Sequence, residues 1–415
     1  MSGLVYEDFA NNVVLLKNGQ QAIIGDTGAG ASGNSADPGD STFEGGSPVI
    51  GAGGDIYFNG GSGDLMVFAN NSNFATNSAK DLSINNPNAW SGGLDPQDFV
   101  AFDNSVYFVG LDNNADYGLW VTNGTAWGTY EVAGSPQDNG QMAVYNGDLY
   151  FNGPGGALET YNPSEGFNSI VGSGAPGNPQ DMISASYSAL WGGTGTDLFM
   201  NGVDASGRKD LYAYDGSTFD QIGAKGLNPR DLTAVSTNVP IGGLNFEYNA
   251  VYFNGVDAAT GKRGLFMADP GDSSLTGSPV SPVTRIAGSS LGGSPYGLNP
   301  QDITELNGKV YFAGGDNKDP TDPHAEGLWV YNPATPAVAP KEVVSSANYD
   351  LDLNASVLGT LAHPQAQIAA SGGDIYFAAN QNGLETLFAY NPSAHTNPVS
   401  MVSNSGLNPF NMTGV

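Results

Sequence analysis

The chain has no cysteine, which excludes disulfides and thiolate-ligated zinc or iron–sulfur centres. Basic side chains are scarce too: 12 Lys and Arg stand against 41 Asp and Glu in 415 residues, a formal net charge of −29. Only 13% of the residues are charged, about half the usual quarter, so the acidity comes from missing bases rather than from acidic blocks. A surface without a basic footprint is a poor match for nucleic acid or for anionic membranes. No apolar run reaches the ~18 residues expected of a spanning helix. The opening segment MSGLVYEDFANN has neither a basic n-region nor an apolar h-region, so export is expected by a route other than Sec, with a cytoplasmic location as the alternative.

Enzyme signatures are sparse. His324, His363 and His395 are the three histidines, and none belongs to an H-E-x-x-H or similar metal spacing. There is no G-x-S-x-G elbow and no phosphate-binding Walker loop. A G-x-G-x-x-G match at Gly28 runs into Asp37-Pro38-Gly39, where no helix can start.

What the chain does have is turn chemistry and aromatics. Gly occurs 60 times and Pro 25 times, 31 of the acids are Asp, and aromatics reach 10%. Turn residues mixed with β-type aromatics point to many short strands, and the aromatic content is too high for a disordered chain.

A repeat of four short segments organises the sequence. The leading segment is x-Pro-x-x followed by apolar alternation, with prolines at 48, 96, 136, 179, 229, 300, 364 and 409. Their mean spacing of about 52 residues is close to the ~40–50 of four-stranded propeller units. Next comes an aromatic pair, as in DIYFNG at Tyr57-Phe58, DLYFNG at Tyr150-Phe151 and AVYFNG at Tyr252-Phe253. A Leu-aromatic segment follows, as in Leu119-Trp120 and Leu211-Tyr212, and the unit ends on a short apolar strand such as Tyr130-Glu131-Val132. Period-2 alternation closed by Gly, Asn or Asp is the pattern of an antiparallel meander.

The expected fold is all-β: one β-propeller domain over 1–415, of about eight four-stranded blades, with seven if residues 1–46 are only an arm. The chain opens with the three later segments of a unit and closes on NPFNMTGV, a lone x-Pro segment. The C-terminal strand is therefore expected to complete the N-terminal blade, formed by 1–26 and 406–415. The other blades start near 47, 94, 135, 177, 227, 298 and 363. Inserts at Thr237 to Asn249 and Pro270 to Pro282 read as long loops on a constant scaffold, where recognition is expected.

At Gly118 to Val132 the sequence is GLWVTNGTAWGTYEV. This resembles the ELWxxDGT-repeat family of bacterial proteins, whose unit runs ELW-x-x-DGT-x-x-GT-x-x-V. Weaker copies begin at Asp210, Gly327 and Thr386, where the Glu is lost and Asp-Gly-Thr often becomes Asn-Pro. The resemblance implies a propeller-like repeat protein of large surface or secreted bacterial proteins. It brings no catalytic residue with it.

Five sets of residues are candidates for chemistry. The loop LDNNADYG places Asp112, Asn114 and Asp116 at alternate positions, and GDNKDPTD places Asp316, Asp319 and Asp322 as a weaker set. Alternate oxygens in a tight turn can surround calcium, and Asx-type turn capping is the plainer use of the same residues. VDASGRKD offers Asp204, Ser206 and Asp210 similarly. Asp98, Asp138, Asp181, Asp231 and Asp302 recur at one position of x-Pro-x-Asp, an architectural acid or an acidic ring for cations. Trp90 and Trp127 fall outside the strand template and are candidates for exposed contact, unlike Tyr107, Phe108 and Trp120, which are expected between blades.

The expected function is a non-enzymatic extracellular or cell-surface scaffold. It would bind a partner protein, a glycan or its own copies through its loops, with calcium as the implied cation. The alternatives are a carbohydrate-active enzyme with paired carboxylates and a lectin. Asp257-Ala-Ala-Thr260-Gly261-Lys262 is similar to the docking turn of quinoprotein dehydrogenases, but Leu265 replaces its Trp and no other unit repeats it.

Overall fold

A computed structural model describes residues 3–7, 12–26, 49–51, 53–60, 63–70, 79–83, 86, 89, 92–134, 142–170, 174–188, 194–241, 244–269, 283–288, 297–315, 326–351, 368–381, 384–402 and 410–414. Among them the fold is all-β, with eight four-stranded antiparallel blades of a β-propeller. The strands cluster into two compact units, residues 1–142 with 353–415, and residues 143–352.

The first unit holds four blades. Blade I consists of β1 (Gly3–Glu7), β2 (Asn12–Lys17), β3 (Gln20–Asp26) and β32 (Phe410–Gly414), ordered β3-β2-β1-β32. The C-terminal strand thus supplies the missing first strand, pairing Leu4 with Gly414 and Val5 with Thr413. Blade II spans residues 49–81 and blade VIII residues 368–401. Blade III consists of β8 (Gln97–Phe102), β9 (Ser105–Leu111), β10 (Tyr117–Thr122) and β11 (Thr129–Gly134).

The second unit holds the other four. Blade IV spans residues 143–170. Blade V has β16 (Gly177–Ser188), β17 (Thr194–Val203), β18 (Lys209–Tyr214) and β19 (Phe219–Ile222). Blade VI has β20 (Arg230–Ile241), β21 (Leu244–Val256), β22 (Arg263–Ala268) and β23 (Val283–Arg285). Blade VII has β24 (Gln301–Leu306), β25 (Lys309–Gly315), β26 (Glu326–Tyr331) and β27 (Lys341–Val344).

The aromatic pairs follow from this stacking. Neighbours on a strand point to opposite faces, so both members are buried only if both faces are covered. Phe58 packs with Val5, Val13 and Leu15 of blade I, while Tyr57 packs with Val106, Phe108 and Trp120 of blade III. Tyr252 joins Val310 and Phe312 of blade VII, and Phe253 joins Phe199 and Leu211 of blade V. The third-strand Trp also closes a hydrogen bond: Trp120 Nε1 donates to Gly110 O at 3.0 Å and Trp329 Nε1 to Gly314 O at 2.8 Å.

One expectation is corrected. The segment Thr237 to Asn249 is not a loop: β20 and β21 continue as a paired hairpin through Ile241↔Leu244. Blade V does the same to Ser188↔Thr194, and the two hairpins meet at Tyr187↔Tyr248. Alternation of apolar and polar residues carried the inner strands to 12 and 13 residues, long for a mean strand of about five or six. The segment Pro270 to Pro282 lies outside the described residues.

Candidate functional site

The x-Pro-x-Asp residues form a repeated device. In blade III, Gln97 pairs with Val109 and Val100 with Tyr107, so three residues advance against two. The same extra residue sits between Gln180 and Ile183, Arg230 and Thr233, and Gln301 and Thr304. Each bulge contains the recurrent acid at positive φ: 50° at Asp98, 49° at Asp181, 55° at Asp231 and 51° at Asp302. Asp tolerates this left-handed region better than most residues, and a bulge re-aims the side chain it carries. That accounts for the recurrence as architecture. Asp138 lies outside the described residues.

In the second unit the bulges do more. Asp231 is exposed at its surface, with protein filling much of the volume around its carboxyl. Desolvation, then the charges of Asp302 and Asp181, raise its carboxyl to about 7 against the pull of Arg230 and Arg263. Three successive blades thus bring their bulge acids within electrostatic reach. An acid raised in the fold favours the protonated native state, so stability is present at low pH and lost as pH climbs from about 4 through about 7. Replacing Asp231 with Asn, which also tolerates positive φ, is expected to leave melting unchanged at pH 4. At pH 8 it should stabilise by roughly 1–2 kcal/mol, a figure reduced because the carboxylate touches water. Paired thermal melts of the two proteins at both pH values check this, and an equal shift at both would contradict the charge argument.

A second repeat runs between blades. Asn59 Nδ2 donates to Asp95 Oδ1 at 3.0 Å, Asn152 Nδ2 to Asn178 Oδ1 at 2.9 Å, and Asn254 Nδ2 to Asn299 Oδ1 at 3.1 Å. Asn201 Nδ2 instead reaches Pro229 O at 3.0 Å. Each is the Asn of Y-F-N-G or its variant, bonded to the x-Pro segment of the following unit. Their role is not apparent from the sequence, although the Asn recurs beside the aromatic pair.

The two described calcium candidates, the Asp112 and Asp204 loops, sit at the same end of their blades as the bulges. Asp112 caps its own turn: Oδ1 accepts from Asn114 N at 2.8 Å and Asp116 N at 2.9 Å, and Oδ2 accepts from Asn114 Nδ2 at 3.0 Å. The Asp116 amide bond is the first cause that holds the Asp112 carboxyl below its usual range. Glu131, from the outer strand, is raised by burial and then by the charges of Asp112 and Asp116. It therefore comes near the loop, which no linear spacing revealed. Asp204 caps its loop alike, accepting from Ser206 N and Arg208 N and pairing with Arg208 at 2.6 Å. Asp210 does not join that loop: it is fully buried and accepts from Gln221 Nε2 at 2.9 Å and from Gly226 N. Among the described residues no three acidic or histidine side chains group closely enough to hold a metal. Asp316, Asp319, Asp322 and Trp90 lie outside the described residues.

Trp127 is 99% exposed, on a one-turn 3-10 helix over Ala126–Gly128. The turn is tightly tied. Thr125 Oγ1 accepts from Gly128 N at 3.0 Å, and Asn123 Oδ1 accepts from Thr125 N at 3.1 Å and Thr125 Oγ1 at 2.7 Å. Thr122 and Thr129 hydroxyls bond at 2.7 Å beneath it. A Cβ on Gly128 would collide with the Asn123 side-chain amide, so a larger residue there would displace the Asn123 cap of the turn. Tyr130, next on the outer strand, is half exposed.

No protein-family model matches the chain, and no curated protein matches it in sequence. Solved structures resemble it in fold at low identity. Apo AztD from Citrobacter koseri is 12% identical with a TM-score of 0.46, over 100% of this chain and 97% of that one. The GH74 enzyme of Niastella koreensis is 12% identical with a TM-score of 0.49, over 89% and 54%. A puromycin-hydrolyzing peptidase of Mycobacterium tuberculosis is 13% identical with a TM-score of 0.45, over 95% and 50%. The chain spans half the length of that peptidase and of a prolyl endopeptidase that it also matches. No residue role passes from them to this chain.

Proposed function

We propose that the chain is a non-catalytic interaction scaffold of the ELWxxDGT-repeat kind, working extracellularly or at a cell surface. It engages a partner protein, a glycan or its own copies through blade loops, with calcium assisting. The observation that carries this reading is Trp127. A fully exposed indole is costly in water, yet hydroxyl, amide and backbone hydrogen bonds hold its turn in one shape. A contact ordered in advance loses little entropy when a partner binds. Trp is enriched among the hot-spot residues of interfaces, and its flat face also stacks on sugars. Calcium would act at the Asp112 loop, where Asp116 and Glu131 add charge that a cation relieves.

Sedimentation velocity in calcium and in excess EDTA, together with a glycan-binding panel, tests the reading. Wild type is expected to self-associate or to bind a glycan, and Trp127→Ala to weaken that contact about tenfold or more. Its melting should not change, because the indole touches solvent. A monomer that binds no glycan under either condition, or full binding by Trp127→Ala, overturns the Trp127 reading.

One observation favours a second reading, a carbohydrate-active enzyme. Desolvation and then the charges of Asp302 and Asp181 push the Asp231 carboxyl up to about 7, and a carboxyl raised beside other carboxyls is the arrangement of an acid–base pair. In that case Asp231→Asn abolishes glycan hydrolysis, and wild type that cleaves no polysaccharide removes the enzyme.

A further inference from the structure

Basic side chains are few on this chain, and they are not spread evenly. Of the 12 Lys and Arg, seven fall between residues 208 and 285.

Strand direction puts all seven at one end of blades V and VI. Arg208 and Lys209 stand where the loop after β17 enters β18, and Lys225 lies between β19 and β20, whose first residue is Arg230. Lys262 and Arg263 stand where the loop after β21 enters β22, and Arg285 ends β23 with its guanidinium on Asp257 of that loop. This is the end that carries the bulges. Among the described residues there, blades V and VI contribute five acids: Asp181, Asp204, Asp210, Asp231 and Asp257. Seven bases less five acids leave +2, in a chain whose net charge is −29. At the same end of blade III, Asp95, Asp98, Asp112 and Asp116 stand with no base among the described residues, a charge of −4.

The surplus faces water on a fixed frame. Lys209 Nζ donates to Gln180 Oε1 at 3.2 Å, and Arg263 Nη1 donates to Asn228 O at 3.2 Å and to Asn254 Oδ1 at 3.1 Å. Burial, then the charge of Arg230, lowers the Arg263 pKa, with Asp231 pulling the other way. Lys225 and Arg230 are exposed. Even in their ion pairs, Arg208 and Arg285 keep 43% and 40% of their side chains in solvent. Like charges thus stand near one another on an open surface, where carboxylates from outside would relieve their repulsion.

We propose that this end of blades V and VI is a docking surface for a second copy of the chain, which meets it with an acidic face. The inference rests on the self-association arm of the proposed function and makes no use of Trp127. Charge complementarity selects the occupant. With +2 gathered here and −29 in total, the remainder of the chain carries −31. The basic end does not meet its own twin, because like charges would face each other across a twofold axis. The contact is therefore heterologous, and copies add into rings or open chains rather than stopping at dimers. Its dependence on salt follows from the same charges. At ~0.15 M salt the screening length is about 8 Å, so the basic end feels only the carboxylates in front of it. At ~0.01 M that length is about 30 Å and whole copies repel, while at ~1 M even contact pairs fade.

Sedimentation velocity of the full chain in EDTA, at about 0.01, 0.15 and 1 M NaCl, tests the docking surface; the chelator removes any bridging by calcium. Wild type is expected to form its largest species at the middle concentration and smaller ones at both extremes. Lys225→Glu reverses one exposed charge of the basic end. It should leave melting unchanged and weaken association about tenfold at the middle concentration. Lys80→Glu makes the same change in net charge at an exposed base of blade II, and should associate as wild type does. A contact through Trp127 is apolar and persists in 1 M salt, so Trp127→Ala should keep the maximum at the middle concentration. Failure of the Trp127 reading therefore leaves this result standing. A monomer at all three concentrations, association that rises or falls steadily with salt, undiminished association of Lys225→Glu, or an equal loss in Lys80→Glu each overturns the proposal.

Discussion

Removing residues 408–415 is expected to destabilise the first unit by about 3–5 kcal/mol, lowering its melting temperature by roughly 10 °C. The strand lost is β32, the first strand of blade I. Met412 on it is 3% exposed and packs with Leu4, Tyr6, Val14 and Leu16 of its own blade and with Ala369, Ala378 and Leu387 of blade VIII. Its loss empties a core position, for which a Met-to-Ala change alone costs about 2–5 kcal/mol. The ladder to β1 goes with it, at Leu4↔Gly414 and Val5↔Thr413. β1 then presents an unpaired edge, so the shortened chain should also aggregate. Scanning calorimetry and size exclusion give the answer, and a synthetic 408–415 peptide added in trans should recover some of the loss by strand addition. Near-normal melting of the truncated chain would show that β32 contributes little to blade I.

The other large effect is expected at Asn254. Substitution by Ala should cost about 3 kcal/mol, against roughly 1 kcal/mol for Asn59→Ala and intermediate values for Asn152 and Asn201. Asn254 is 2% exposed and works in two directions. It donates to Asn299 across to blade VII and accepts from the Arg263 guanidinium. The second bond is charge-assisted and hence worth more than a neutral one; its loss leaves a half-buried cation short of an acceptor. Asn152 and Asn201 are each 3% exposed, but their Oδ1 atoms have no hydrogen-bond partner. Truncating them removes an unsatisfied acceptor along with a good donor, and the two effects offset. Asn59 has the same unsatisfied Oδ1 but is less deeply buried as a whole, so water regains more of its lost donor bond. Urea midpoints of the four variants test the order. Equal losses at all four positions would mean that the Arg263 bond adds nothing.

Much of the architecture was legible because its causes are short-ranged. Alternation at period 2, with Asn-Gly or Asp-Asn between runs, specifies hairpins within a few residues, as at Asn146-Gly147 and Asp103-Asn104 with positive φ throughout. The lone x-Pro segment at the C-terminus and the absent one at the N-terminus placed β32 beside β1 for the same reason. The recurrent Asp was readable as architecture, though its bulge was not, since a bulge is defined only against the partner strand. The Asn of Y-F-N-G was visible but unread, because its partner lies in the next unit, 26 to 45 residues on. Thr237 to Asn249 misled because a hairpin extension and a loop insert both lengthen the repeat.

The sequence alone therefore determined the all-β class, the four-stranded unit and the exchange of a strand between the chain ends, while the structure decided for eight blades over seven. Those features rest on local patterning and on which faces must be buried. Only the tertiary structure decided which side chains meet. It brought Glu131 toward Asp112 and Asp116, gathered Asp181, Asp231 and Asp302 from three blades, and left Arg230 and Arg263 together without a bond between them. These are charge relations across strands and blades. Their strength depends on separation and burial, and neither is written in the order of the residues.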